Sequence, residues 1–286
     1  MPVTLPFMTM EKENKILGLI AGGGQFPVLV AEAARAQGCH VVAVAHLGET
    51  DPSLSEQTDE ISWIKLGQFG HLIKALKKSG VRQALMAGSI NKKRMFEMRP
   101  DFRGLTLISK MAIFHDDGIL TTVADEMAKE GIEIIPSTAY LKNLLASEGF
   151  LTRKRPSRSE LEDIDFGWRI AKELGRLDIG QSVVVRRRTI LAVEAMEGTD
   201  KTIERGGGIA REKAVVVKVS KPHQDLRFDV PSVGLGTVRK MAEVRASVLA
   251  IEAQKTLIFD KPDMIALADR AGIAVVSKRT EELRGS

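Results

Sequence analysis

Apolar runs of strand length alternate with amphipathic helical patterns through the first half of this chain. The predicted strands are 15–21, 40–45, 83–87 and 132–135, and the predicted helices are 27–37, 69–78 and 119–129. Strands that are separated by helices of this length form a parallel sheet with both faces covered. The alternation therefore predicts an N-terminal Rossmann-like α/β domain, to which we assign residues 15–151.

The pattern changes after a polar, basic and proline-containing segment at 152–160, which has the composition of a linker. Beyond it, the predicted helices are 164–174, 237–253 and 264–271, and the predicted strands are 182–185, 189–193, 214–219, 256–259 and 273–276. The first two of these strands flank three arginines and predict a hairpin. Because 286 residues are enough for two domains, we expect residues 160–280 to form a mixed α/β domain.

The charge balance is modestly basic, with a formal net charge of +5 and a pI near 9.3. A nucleic-acid partner would suit this charge, but aromatic residues make up only 5% of the chain and leave few rings to stack on bases. We therefore expect no nucleic-acid partner. An acidic small-molecule substrate, or one that lies on an anionic membrane surface, suits the same charge.

The single cysteine, Cys39, excludes an intramolecular disulfide and a cysteine-rich metal site. No apolar run approaches the ~18 residues that span a bilayer, and the N-terminal residues lack the pattern of a signal peptide. These features predict a cytoplasmic location. The histidines have no metal-binding spacing, so any metal is expected to be a hard cation held by carboxylates.

Two glycine-containing loops follow predicted strands in the first half. In Gly22-Gly23-Gly24-Gln25, glycines let the backbone approach a phosphate, and the helix that follows offers its N-terminus to an anion. Pro27 replaces the third glycine of a dinucleotide fingerprint, and a tight turn that requires glycine is the alternative interpretation. Gly88-Ser89 follows another strand in the same way. Since both loops would lie at the carboxyl edge of a parallel sheet, we expect them to contact the nucleotide or phosphate part of a ligand.

Two adjacent aspartates, Asp116 and Asp117, precede the predicted helix 119–129. An aspartate at this place is an ordinary helix cap. The pair could instead orient a ribose or a water molecule, and the residues alone leave both interpretations open.

Polar residues are denser in the second half, beside the predicted strands. Gln181 precedes the hairpin, and Glu194, Glu197 and Asp200 follow its second strand. The segment 218–231, which we call the catalytic loop, carries Lys218, Lys221, Gln224, Asp225, Arg227 and Asp229. Carboxylates can hold Mg²⁺ or position a water while lysine and arginine neutralise phosphate oxygens, so this mixture suits phosphoryl transfer. A salt-bridged surface loop is the alternative.

Seven segments stand in an order and at intervals that resemble one family: GLIAGGGQFP, LGQFG, MAGSI, DDG, RLDIGQSVVV, LAVEAMEGTD and KPHQDLRFDVPSVG. The family is that of the UDP-2,3-diacylglucosamine pyrophosphatases of the DUF1009 type, which act in lipid A biosynthesis. The resemblance implies Mg²⁺-dependent hydrolysis of UDP-2,3-diacylglucosamine to 2,3-diacylglucosamine 1-phosphate (lipid X) and UMP. It also implies a homodimer of two-domain chains, with substrate held between the domains, and a lipid substrate suggests peripheral contact with the inner membrane.

The same resemblance implies roles for individual residues. The catalytic set is Asp229, Asp225, Lys221 and Arg227, and Asp229 is the essential acid because the family pattern keeps aspartate there. The expected Mg²⁺ ligands are Glu194, Glu197 and Asp200, out of a pool of carboxylates that also contains Asp225 and Asp229, and the sequence leaves open which of them bind directly. The expected substrate contacts are Gly22, Gly23, Gly24, Gln25, Gly88, Ser89, Asp116, Asp117, Gln181, Thr199, Lys218 and Gln224. A dinucleotide-dependent oxidoreductase that uses the 22–24 glycine loop is the alternative, but it leaves the carboxylates of the second half without a role.

Overall fold

The structure, a computed structural model, describes residues 15–90, 98–111 and 116–280, without the side chains of residues 110, 111 and 116–119. The chain forms two compact units: unit 1 is residues 1–141 and unit 2 is residues 142–286. Unit 2 therefore begins before the predicted boundary at residue 151. Strand β6 (Gly149–Phe150) precedes the basic linker and pairs with the last strand of unit 2.

The described part of unit 1 contains a five-stranded sheet in the order β3-β2-β1-β4-β5, in which all neighbours are parallel. The strands are β1 (Ile16–Ala21), β2 (His40–His46), β3 (Glu60–Ile64), β4 (Gln83–Ala87) and β5 (Glu133–Ile134). The helices are α1 (Phe26–Ala36), α2 (Phe69–Lys78), α3 (Phe102–Met111) and α4 (Asp116–Lys129), with a 3-10 helix at Pro52–Gln57. The predicted parallel, Rossmann-like architecture is confirmed.

Helix α1 illustrates how the sequence builds unit 1. Its buried residues Pro27, Val30, Ala31 and Ala34 recur at helical spacing and so form one apolar face. Strand β1 is buried along its length apart from Ile16, as a central parallel strand should be. The strand order reverses between β1 and β4, so the loops after these two strands border the crevice in which α/β sheets bind ligands.

The described part of unit 2 contains a six-stranded mixed sheet in the order β6-β13-β11-β9-β7-β8. Its other strands are β7 (Ser182–Arg186), β8 (Thr189–Val193), β9 (Val215–Lys218), β11 (Val248–Glu252) and β13 (Ala274–Lys278). A small sheet pairs β10 (Ser232–Val233) with β12 (Leu257–Ile258). The helices are α5 (Arg158–Arg176), α6 (Thr199–Ala210), α7 (Leu235–Glu243) and α8 (Lys261–Ala271), with a 3-10 helix at Lys142–Leu144. The predicted mixed α/β architecture is confirmed.

Alternating valines divide the core of unit 2 into two layers. Val183 and Val217 pack with Trp168 of α5 in one cluster of buried residues. Val184 packs with Ile203 of α6 in the other, which also contains residues of α7 and α8. Because successive strand residues point to opposite faces, α5 covers one face of the sheet and α6, α7 and α8 cover the other.

The antiparallel hairpin of β7 and β8 determines where the polar residues of unit 2 meet. Strand β7 runs opposite to β9, so Ser182 at the start of β7 pairs with Lys218 at the end of β9. The chain returns along β8, whose last residue, Val193, pairs with Val183. The loops before β7, after β8 and after β9 therefore lie at one edge of the sheet, which we call the site edge.

The predicted helix at 237–253 is wrong in its second half. Helix α7 ends at Glu243, Arg245 has a φ of 53°, and the next apolar residues form the buried strand β11. The apolar pattern of a short run does not distinguish a buried strand from a helix. Pairing with β9 and β13 on either side selects the strand. Strands β3 and β6 and helices α3 and α6 were absent from the predicted elements.

Candidate functional site

The ammonium group of Lys218 lies at the site edge, where β9 ends. Lys218 is buried, and its Nζ donates hydrogen bonds to Thr199 Oγ1 at 3.0 Å and to the carbonyl of Ser232 at 2.8 Å. Burial lowers the pKa of Lys218, although three nearby carboxylates oppose this effect through their charges. These carboxylates belong to Glu194, Asp229 and Asp200. The two polar clusters that were predicted separately from the sequence are therefore brought together around one buried cation.

Thr199, a predicted substrate contact, links Lys218 to Glu194. Its hydroxyl accepts a hydrogen bond from Lys218 and donates one to Glu194 Oε1 at 2.8 Å. Glu194 is buried, and within the described residues its second oxygen, Oε2, has no hydrogen-bond partner. Oε1 of Gln181, another predicted substrate contact, is also buried without a hydrogen-bond partner among the described residues. Buried polar atoms are normally paired, so a ligand's donor or a cation would satisfy these two oxygens.

A close approach at Gly180 joins the loop before β7 to the loop after β8. A Cβ atom at Gly180 would lie 2.1 Å from the carbonyl oxygen of Glu194 and 2.7 Å from its carbonyl carbon. Only a residue without a side chain can occupy this place. The contact brings exposed apolar side chains of both loops to the site edge, and we call them the apolar rim: Leu177, Ile179 and Met196.

Asp229, the predicted essential acid, accepts a hydrogen bond from Gln224. The distance from Gln224 Nε2 to Asp229 Oδ2 is 2.5 Å. At the other end of the amide, Gln224 Oε1 accepts from Ser220 Oγ at 3.0 Å and from the N–H of Lys221 at 2.9 Å. Gln224 was expected to contact substrate, but here both ends of its amide are used inside the catalytic loop. Its amide orients the carboxylate of Asp229, and its contact with substrate stays a prediction.

Ion pairs hold the two other cations of the predicted catalytic set. Lys221 pairs with Asp178 in the loop before β7. Arg227 contacts both oxygens of Asp225, with Nε to Oδ1 at 3.0 Å and Nη2 to Oδ2 at 2.6 Å. The hydrogen bond from Arg227 lowers the pKa of Asp225, and burial opposes this only in part. All four side chains are partly exposed, so each cation can exchange its carboxylate for a phosphate oxygen.

The predicted Mg²⁺ ligands are not gathered into one group. Glu197 forms an ion pair with Arg205 at 2.6 Å. The chain enters α6 directly after the hairpin, and this places Asp200 in the exposed first turn of that helix. Across the described residues, no group of three or more His, Cys, Asp or Glu side chains could hold a metal ion. The residues do not fit a metal held by protein side chains alone. They fit one that substrate phosphates also hold, since Mg²⁺ commonly takes one or two carboxylates and Glu194 Oε2 is available.

In unit 1, the two predicted glycine loops pair with each other through their backbones. Gly22 N–H donates to the carbonyl of Ala87 at 2.8 Å, Gly23 N–H donates to that of Ser89 at 2.7 Å, and Ser89 N–H returns a bond to Gly23 at 3.1 Å. A Cβ atom at Gly22 would lie 2.6 Å from the Ser89 carbonyl oxygen, and one at Gly88 would lie 2.5 Å from that of Gly23. These glycines therefore serve a contact between the loops at the crevice.

The other half of the first glycine loop faces open space. Gly24 has a φ of 85°, and no atom lies within 4 Å of where its Cβ would be. Gln25 precedes α1 without a side-chain capping hydrogen bond. A ligand could approach the loop from this side. The predicted contacts Asp116 and Asp117 begin α4, and their side chains lie outside the described residues.

His46, which was not among the predicted site residues, ends β2 next to the first glycine loop. Its Nδ1 lies 2.9 Å from the carbonyl oxygen of Ala21, which also accepts from Thr50 Oγ1 at 2.7 Å. A carbonyl only accepts, so Nδ1 carries the proton. Burial lowers the pKa of His46, although the Ala21 hydrogen bond and the charge of Glu49 oppose it. The imidazole is therefore neutral at pH 7 and fixes the end of β1.

Lys172 and Glu252 form a largely buried ion pair at the site edge, with a distance of 2.6 Å, and neither residue was among the predicted site residues. A lysine on an amphipathic helix and a glutamate at a strand end are common and give no signal by pattern. Both side chains contact the backbone of the catalytic loop.

Two family models match the two units of this chain. The model of the LpxI N-terminal domain matches residues 16–144, and that of the LpxI C-terminal domain matches residues 147–276. The chain is also 34% identical over 277 residues to the UDP-2,3-diacylglucosamine pyrophosphatase LpxI of Caulobacter vibrioides. That alignment covers 93% of this chain and 98% of the relative, so the similarity extends through both units.

Comparison with solved structures gives distant likenesses. The biotin carboxylase domain of the 2-oxoglutarate carboxylase of Hydrogenobacter thermophilus is 15% identical, with a TM-score of 0.26 over 60% of this chain and 35% of that one. The phosphoribosylglycinamide synthetase of Anaerococcus prevotii is 14% identical, with a TM-score of 0.26 over 65% of this chain and 40% of that one. The chain thus spans well under half the length of these proteins, and the likeness carries no functional argument.

Proposed function

The chain belongs to the LpxI family, and we propose that it hydrolyses UDP-2,3-diacylglucosamine to UMP and 2,3-diacylglucosamine 1-phosphate in lipid A biosynthesis. The observation that carries the proposal is that both units match one family, whose relative in Caulobacter vibrioides is a pyrophosphatase of this substrate. The site edge supports it separately. Acids and cations of the types that phosphoryl transfer requires converge there.

Asp229 is the residue that we assign to accept a proton from the attacking water. The hydrogen bond from Gln224 fixes the orientation of its carboxylate. The water oxygen forms a bond to one phosphorus, the bond from that phosphorus to the bridging oxygen breaks, and the bridging oxygen leaves with the other phosphate. General-base assistance of this kind is typically worth about 10²–10⁴-fold in rate.

Lys221 and Arg227 are the residues that we assign to neutralise the negative charge of the pyrophosphate. Each is held by a partly exposed carboxylate, Asp178 or Asp225, and would transfer its hydrogen bonds to phosphate oxygens when substrate binds. Charge that develops on those oxygens in the transition state is then neutralised by groups already in place. When bound, Mg²⁺ would neutralise further charge on the same oxygens, and Glu194 is the carboxylate that we assign to hold it.

The crevice of unit 1 is assigned to the nucleotide part of the substrate. The loops after β1 and β4 border the point where the strand order reverses, which is where such sheets bind nucleotides. A dinucleotide-dependent oxidoreductase has less support, because the N–H groups of Gly22 and Gly23 already donate to carbonyls of the neighbouring loop. In that alternative they would face a pyrophosphate.

The apolar rim is assigned to the acyl chains of the substrate. Its residues are exposed at the site edge, and Met196 is 90% exposed. Leu177 and Ile179 flank Asp178, the partner of the proposed phosphate-binding residue Lys221. A substrate that carries both a pyrophosphate and acyl chains would cover charged and apolar residues that lie this close together.

We assign the enzyme to the cytoplasmic face of the inner membrane, as a homodimer in peripheral contact with lipid. Among the described residues, none of the helices is both long enough and apolar enough to cross a bilayer. A groove of about 540 Å³ in unit 1 is lined mainly by cations, and Phe102, which precedes the lining residue Arg103 in the chain, is highly exposed. Its charged lining residues are Lys74, Lys77, Lys78, Arg103 and Glu130. Clustered cations beside an exposed aromatic ring suit an anionic lipid surface.

The decisive experiment is product analysis with the purified protein. Incubation with UDP-2,3-diacylglucosamine and Mg²⁺ should yield UMP and 2,3-diacylglucosamine 1-phosphate in equal amounts, measured by mass spectrometry. Excess chelator should stop the reaction if Mg²⁺ takes part. Intact substrate after prolonged incubation with a well-folded protein would refute the proposed activity, and full activity in chelator would remove the metal from it.

A further inference from the structure

A largely buried ion pair holds the beginning of the catalytic loop from two sides. Glu252, at the end of β11, is 1% exposed, and its Oε2 accepts from the Ser220 N–H at 2.8 Å. Lys172, on α5, donates from Nζ to the Ser220 carbonyl at 2.7 Å and to Glu252 Oε2 at 2.6 Å. Both hydrogen-bonding groups of the Ser220 backbone are thus bound to one pair of opposite charges.

The carboxylate of Glu252 is itself fixed by further donors. Its Oε1 accepts from Thr280 Oγ1 at 2.6 Å and from Lys255 Nζ at 2.9 Å. Burial by itself raises the pKa of Glu252, but the hydrogen bonds from Lys172, Thr280 and Lys255 outweigh it and hold the pKa below its usual value. The group is therefore an anion at neutral pH, and its position is determined by donors from several parts of unit 2.

From Ser220, a continuous chain of hydrogen bonds leads to the proposed general base. Ser220 Oγ donates to Gln224 Oε1 at 3.0 Å. Gln224 Nε2 donates in turn to Asp229 Oδ2 at 2.5 Å. Each link fixes the side chain that makes the next one.

We propose that Lys172 and Glu252 are positioning residues for the hydrolysis: they hold Ser220, which through Gln224 sets the carboxylate of Asp229. This inference rests on the proposed function. A misplacement of about 1 Å at a reacting group can cost on the order of 10²-fold in rate, so the loss of the pair should act on kcat although we assign neither residue a contact with substrate.

Stability is a weak reason to retain such a pair. Buried ion pairs are often matched or exceeded in stability by apolar residues of similar volume, because each charge loses its hydration. A pair kept for its geometry should therefore be replaceable without unfolding the protein, but with a loss of turnover.

The test compares the variants Lys172→Met and Lys172→Arg with the double variant Lys172→Met/Glu252→Leu. Lys172→Met should lower kcat by on the order of 10- to 100-fold with little change in KM, and Lys172→Arg should recover most of the loss. The double variant should melt no lower than Lys172→Met and still turn over slowly. Lys129→Met, which removes an exposed ion pair with Glu126 in unit 1, is the matched control and should behave as wild type. A folded Lys172→Met or double variant with wild-type kcat would overturn the proposal.

A second measurement separates this inference from the proposed activity. Hydrogen–deuterium exchange over residues 218–231 needs no substrate, and exchange there should be faster in both apolar variants than in wild type or Lys129→Met. Unchanged exchange overturns the positioning role even if the wild type hydrolyses UDP-2,3-diacylglucosamine. Faster exchange supports it even if the wild type proves inactive on that substrate and the proposed function fails.

Discussion

Lys218 donates a hydrogen bond of 3.0 Å to the hydroxyl of Thr199, and that hydroxyl donates one of 2.8 Å to Glu194. Thr199→Val keeps the shape of the side chain but leaves two buried charged groups each without one hydrogen bond. We expect the free energy of unfolding to fall by about 1–3 kcal/mol. Urea denaturation at pH 7 measures this. Thr199→Ser keeps the hydroxyl and should lose far less, and equal losses in the two variants would contradict the bridging role.

Asp229→Ala should reduce kcat by about 10²–10⁴-fold, the usual cost of losing a general base, while equilibrium binding of UDP-2,3-diacylglucosamine remains nearly unchanged. Removing a negative charge near an anionic pyrophosphate gives no reason for weaker binding. Steady-state kinetics and calorimetry measure the two effects. Asp263→Ala, in the exposed first turn of α8, is the control and should turn over as wild type. A stable Asp229→Ala protein with near-normal turnover would exclude the catalytic role.

The pair of Asp225 and Arg227 should make a small, pH-dependent contribution to stability. Because its pKa is depressed below the usual 3.8 in the folded protein, Asp225 stabilises the fold above that pH and loses the effect as pH falls through the folded value. The pair is about one-third exposed, so Asp225→Asn should lower the free energy of unfolding at pH 7 by about 0.2–1 kcal/mol. Urea unfolding at pH 7 and pH 3 should show the difference from wild type shrinking in acid. A difference that grows in acid would contradict this sign.

Gly180→Ala and Gly208→Ala are the same chemical change with opposite expected results. At Gly180, the new methyl group would lie 2.1 Å from the Glu194 carbonyl oxygen, so the hairpin loops must separate. We expect a loss of about 1–3 kcal/mol in stability together with reduced activity. At Gly208, inside α6, nothing lies within 4 Å of the added methyl, and the helix should gain about 0.5–1 kcal/mol. Thermal melts that rank the two variants in the reverse order would refute the contact at Gly180.

The apolar rim should determine affinity for acylated substrate. Burying one large apolar side chain is worth about 1.5–3 kcal/mol, so Met196→Ser or Ile179→Ser should raise KM for UDP-2,3-diacylglucosamine by about 10- to 100-fold. Hydrolysis of an analogue with short acyl chains should change much less. Ile209→Ser serves as the control, because it replaces an exposed apolar residue that lies on α6 and not in the apolar rim. Equal effects of these substitutions on the KM of long-chain and short-chain substrates would contradict the assignment of the acyl chains to the apolar rim.

Local patterns were sufficient for much of the fold. The strand at 83–87 and the helix at 69–78 have the predicted bounds, because each is a short periodic run that ends at a glycine or a lysine-rich turn. The pattern failed at β11, where only the neighbouring strands decide that an apolar run is extended. The pairing of β6 with β13 joins parts of the chain that are far apart, and no local pattern indicates it.

The candidate site was predictable in its residue types but not in its connections. The sequence indicated that Glu194 and Asp229 belong to polar clusters after strands. The antiparallel pairing of β7 with β9 explains why those clusters meet at one edge of the sheet. Lys172 and Glu252 are separated by 80 residues, and no local pattern relates them. Gln224 is predicted to contact substrate, and only the geometry of its amide reveals its hydrogen bond to Asp229.

The backbone bridge between Gly23 and Ser89 bears on the entropy of binding in unit 1. Many loops that receive a nucleotide are ordered only when the ligand arrives, and part of the interaction energy is then lost in restricting them. Here the loops after β1 and β4 restrict each other as the chain folds, through three backbone hydrogen bonds and the close approach that their glycines allow. A ligand that binds this surface therefore loses little of its interaction energy in ordering the two loops, because their conformational entropy is already lost on folding.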